Sequence, residues 1–77
     1  MNTPRLIWDP NDWIAFKAAA RPLRSSGVKG DALWDRVEKL RAPLFEKTQR
    51  VDHAQVHEET MRFLADEGIV PRGWAPD

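Results

Sequence analysis

The sequence predicts an all-α fold, a small three-helix bundle, and three observations predict it. Apolar residues recur three and four apart in long stretches, the spacing that lines one face of a helix. Aspartates at 9, 31 and 52 stand where helix caps belong, just ahead of those stretches. Glycine, serine and proline collect between them and mark turns. The 77 residues make a single helical domain, 1–77. A chain of that size buries only about 60–65% of the surface its unfolded form exposes.

Residues 1–8 form an extended apolar lead-in. Its Leu6-Ile7-Trp8 is too short for a strand and has no second strand to pair with. The first helix is expected over 9–21. Asp9 is its cap, and Pro10 suits the first helical position because its missing N–H has no helical acceptor there. Asp12 complements the helix dipole, and Trp8 and Trp13 occupy the two positions of a hydrophobic staple. Ala15, Ala18, Ala19 and Ala20 favour the helix, and Pro22 ends it. Residues 22–30 read as a loop with room for one helical turn after Pro22.

Asp31 is the expected cap of a second helix over 31–50. Its stripe is Leu33, Val37, Leu40 and Leu44, flanked by Trp34 and Arg41. Pro43 interrupts that stripe, because its ring removes a donor and crowds the carbonyl four residues back. The expectation is a sharp kink or a break, and a break gives a short fourth helix after Pro43. The third helix is expected over 52–67, with Asp52 and Gln55 as a capping-box variant and Val51 and Val56 as a staple. Val56, Thr60, Phe63 and Leu64 face inward, widened by Met61 and Ala54. Gly68 followed by Ile69 gives it a Schellman ending. The tail, 68–77, is non-helical and either loose or docked through Trp74, with docking favoured.

Composition narrows the chemistry. The absence of cysteine removes disulfides, thiolate zinc sites, iron–sulfur clusters and cysteine nucleophiles. No apolar run suits a signal peptide or a membrane span, so a cytoplasmic protein without a membrane partner is expected. Twelve basic and twelve acidic residues cancel, yet residues 1–30 carry a net +3 and residues 51–77 a net −4. A basic front and an acidic rear offer either end to a charged partner, or the two ends of two copies to each other.

No catalytic residue, cofactor or metal is expected. His53 and His57 share a helix face, but a zinc site needs more ligands and the His-Glu-x-x-His spacing is missing. They read as solvated histidines near a helix start. The helical carboxylates look outward, and Asp35–Lys39 and Glu58–Arg62 suit i,i+4 pairs. Ser25 and Ser26 have no histidine near in sequence, and Gly27-Val28-Lys29-Gly30 is a weak echo of a phosphate loop without its strand.

Two features point outward instead. Lys17, Arg21 and Arg24 are spaced four and three apart, Lys29 follows, and no acid intervenes. The tail offers Arg72 and Trp74, residue types enriched at interface hot spots. The expected function is a non-catalytic protein-binding module, an adaptor, inhibitor or accessory subunit with regulatory action. Its expected contacts are Lys17, Arg21, Arg24, Lys29, Arg72 and Trp74. The alternative is nucleic-acid binding through the same basic face, and homodimerisation through unburied helix faces is a third route.

Overall fold

The computed structural model of the chain describes residues 7–75. It is an all-α, three-helix bundle. Helix α1 spans Pro10–Ala20, α2 spans Gly30–Lys47 and α3 spans His53–Asp66, with single 3-10 turns at Arg21–Ser25, Arg50–Asp52 and Arg72–Trp74. Of the lead-in, Ile7 and Trp8 lie among the described residues and pack on the core, while residues 1–6 lie outside them. Among the described residues no helix is long and apolar enough to cross a membrane.

The start of α1 forms as its residues dictate. Asp9 accepts a hydrogen bond from the Asn11 N–H at 2.7 Å, and Pro10 opens the helix. Trp8 stacks on Trp13 with centroids 4.4 Å apart, the expected staple. Trp13 stacks in turn on Phe16 and meets Phe63 of α3 edge-on. The end of α1 runs directly into the 3-10 turn at Arg21–Ser25, which occupies the first half of the expected loop.

Of the two outcomes expected at Pro43 the break does not occur, and helix α2 departs from expectation at its cap. It begins at Gly30 with Lys29 at the N-cap position, and no side chain caps it; Asp31 is therefore a first-turn residue and not the cap. Gly30 has a φ of +61°, a left-handed conformation that glycine adopts at little cost. The helix then runs unbroken through Pro43 to Lys47, so no separate fourth helix forms. The core stripe spans the proline: Leu33, Val37, Arg41 and Leu44 are all buried. Lys39 and Pro43 are exposed, so water can reach the carbonyl that the proline deprives of a donor.

Helix α3 is entered from the 3-10 turn at Arg50–Asp52. Asp52 sits at its N-cap position in helical geometry and makes no capping hydrogen bond there. The Val51–Val56 staple does not form, because Val51 is 80% exposed while Val56 is buried. The far end behaves as predicted. Gly68, at φ +74°, takes the left-handed position; its N–H bonds the Ala65 carbonyl at 3.0 Å and the Ile69 N–H bonds Leu64 at 2.9 Å. That reversal sends Ile69 and Val70 into the core beside Leu64 and Ala65.

Candidate functional site

The reversal after α3 has a second effect. It lays residues 69–74 across the 3-10 turn and the start of α2, and the three segments enclose a groove of about 390 Å³. Leu23 and Val28 come from the turn and loop, Leu33 from α2, and Ile69, Val70, Pro71 and Trp74 from the tail. Arg24 and Lys29 are the charged residues of its lining. Trp74 is docked, half-buried against the core, and meets Trp34 edge-to-face at 5.7 Å and 81°. Trp34, which flanks the α2 stripe, is 36% exposed and serves as the wall on which the tail rests.

The groove gathers three of the six predicted contact residues: Arg24, Lys29 and Trp74. The other three lie elsewhere. Lys17 sits over the Trp13 ring, 5.5 Å from its centroid. Arg72 is paired with Asp66 at 2.7 Å. Arg21 approaches Glu67 at 3.7 Å and the Phe63 ring at 5.8 Å.

The basic stretch is therefore not an open face. Glu67 lies between Arg21 and Arg24; the Arg24 guanidinium is 3.8 Å from its carboxylate and donates to its backbone carbonyl at 3.3 Å. The acidic rear folds onto the basic front of the same molecule. Sequence order conceals this, since Arg24 and Glu67 are 43 residues apart. Lys47 and Asp12 make a similar long-range contact at 3.1 Å. Of the two expected helix-face pairs, Glu58–Arg62 forms at 2.6 Å and Asp35–Lys39 does not.

A second polar cluster ties α2 to α3, and its centre is Arg41, only 2% exposed. Its Nε donates to Thr60 Oγ1 at 3.0 Å and its Nη2 to His57 Nδ1 at 2.6 Å, while Nη1 lies 3.7 Å from Glu38. The guanidinium carbon lies 5.0 Å from the centroid of the Phe45 ring and 5.8 Å from that of Trp34. A guanidinium has no lone pair to offer, so His57 Nδ1 is the acceptor and the ring carries its proton on Nε2. Burial holds the Arg41 guanidinium below its ordinary range, with Glu38 opposing. His57 is also held low, by burial first and then by the Arg41 charge, again against Glu38.

In the sequence Arg41 flanks the stripe. The series Leu33, Val37, Arg41, Leu44 fits helical spacing as well as the series through Leu40, and burial selects Arg41. His57 is exposed, as expected, and His53 is half-buried; each has a partner outside the pair. His53 Nε2 donates to the Phe45 carbonyl at 2.9 Å, and His57 accepts from Arg41. Among the described residues no group of three or more histidine, aspartate or glutamate side chains is placed to hold a metal ion.

Comparison of the chain with protein-family models, with curated proteins and with solved structures gives no match in any of the three.

Proposed function

We propose that this domain is a non-catalytic protein-binding module, an adaptor, inhibitor or accessory subunit acting in the cytoplasm, and that its contact surface is the groove beside Trp74. One observation carries the reading: a mostly apolar groove of about 390 Å³ with a tryptophan in its wall and two cations in its lining. Recognition sites are commonly concave and apolar, with a few polar groups that fix orientation. Tryptophan and arginine carry a disproportionate share of interface energy.

Nucleic acid is the weaker alternative, because Glu67 and Asp66 neutralise Arg21, Arg24 and Arg72 where phosphates would have to lie. Affinity capture from the source cell tests the reading, using wild type, Lys29→Glu and Trp74→Ala, each checked for helical content by circular dichroism. A partner held by wild type and lost by folded variants supports it. Identical partners for all three proteins sink the groove as the interface.

A further inference from the structure

We infer that the occupant of this groove is a short acidic peptide segment that inserts one large apolar side chain; this rests on the protein-binding reading above and gives the partner its chemistry. The argument is charge complementarity around an apolar slot. Among the described residues the groove is lined by two charged side chains, Arg24 and Lys29, and both are cations; no carboxylate lines it. The two differ in availability. Arg24 is shared with Glu67, whereas Lys29 is exposed and has no ion-pair partner among the described residues.

Lys29 and Gly30 are also the N-cap and first residue of α2, an 18-residue helix without a side-chain cap. The positive end of its dipole thus reinforces the two cations at the same rim. The volume, about 390 Å³, lies near the low end of ligand sites, roughly 300–1,000 Å³. That is room for one anchor side chain and its neighbours, with Leu23, Val28, Leu33 and Val70 to meet it. The wall is bare at Gly27 and Gly30, where an added Cβ would meet nothing within 4 Å, so an extended backbone can approach closely.

A phosphate backbone fits this site poorly. It needs a run of unpaired cations, and Glu67 and Asp66 pair with Arg21, Arg24 and Arg72 and so interrupt that run. One or two carboxylates flanking an apolar anchor need only what Lys29, Arg24 and the helix start provide.

Random peptides displayed on phage and selected against the immobilised full chain test the inference. We expect the enriched peptides to carry aspartate or glutamate around a large apolar residue. The synthesised consensus peptide should shift the amide resonances of residues 23–33 and 68–74 of the full chain. Lys29→Glu removes an exposed side chain outside the core and should weaken that peptide by about tenfold or more, since facing like charges across an interface is costly. A peptide with lysine in place of its acids should then prefer the variant to wild type.

Neutral or basic peptides that shift the same amides would overturn the acidic assignment and leave the protein-binding reading standing. So would equal binding by wild type and Lys29→Glu. Shifts produced by a short uridine oligonucleotide but not by the acidic peptide would overturn both. Selection that enriches nothing, or peptides that map away from the groove, defeats the inference; the capture experiment then decides the wider reading on its own.

Discussion

Arg41 holds its place by satisfying acceptors on a neighbouring helix, and this makes its partners more sensitive than Arg41 itself. A buried charge costs several kcal/mol to desolvate, and truncating one partner leaves that cost uncompensated. Thr60→Val keeps the volume and removes the acceptor for Nε; it should destabilise the fold by about 1–3 kcal/mol in urea denaturation. Arg41→Met removes the charge and keeps an apolar stem, so it should stay within about 1 kcal/mol of wild type. A methionine variant less stable than the valine variant would contradict this account. His57 adds a pH dependence whose sign is fixed. Its proton affinity is lowered on folding, so the unfolded chain binds the proton more readily. Its contribution is complete above the ordinary histidine pKa of about 6.5 and is lost as pH falls from there toward the depressed folded value. Between pH 7.5 and 5.5 the urea midpoint should fall more for wild type than for His57→Gln, which offers Arg41 an acceptor that does not titrate.

At the scale of elements, two helix boundaries carry most of the local information. Gly68 has room for a Cβ, whose nearest neighbour would be Arg24 Cδ at an ordinary 3.8 Å, so only its φ of +74° resists substitution. Gly68→Ala should cost about 1–2 kcal/mol, read by thermal or chemical unfolding. Pro43 costs α2 a hydrogen bond without ending it. Pro43→Ala should therefore stabilise the protein by about 1 kcal/mol or more, and a lower melting temperature would show that the proline relieves some strain elsewhere. The staple of α1 and the Schellman ending of α3 were readable because each is a contract among neighbours in sequence. Expectation and structure part at Asp31 and at Val51, and the break allowed for at Pro43 does not occur; at each a local preference competes with packing. Lys29 takes the N-cap position of α2 and leaves Asp31 in the first turn, a 3-10 turn leads Val51 to solvent, and the buried stripe of α2 carries the helix across Pro43.

At the scale of the molecule, charge that is segregated along the chain becomes paired in space. The contacts from Arg21 and Arg24 to Glu67, from Arg72 to Asp66 and from Lys47 to Asp12 are all partly exposed, and such pairs are worth about 0–1 kcal/mol each. Raising sodium chloride from low to high concentration should hence move the unfolding free energy by no more than about 4 kcal/mol, whereas a larger loss of stability would give the pairs a larger role. The candidate groove was only half legible for the same reason. Arg24, Lys29 and Trp74 are conspicuous as residue types, but their meeting depends on the tail returning over α2. Glu67, which pairs with the exposed Arg21, is brought there by tertiary structure alone. The Lys47–Asp12 contact sets the beginning of α1 beside the end of α2, so the stacked Trp8–Trp13 pair and the crossed Trp34–Trp74 pair report from opposite ends of the bundle. Two indole couples of different geometry give separate exciton bands in circular dichroism. Replacing Trp8 or Trp74 with phenylalanine silences one signal at a time, and the molecule thereby carries two native optical probes of which end melts first.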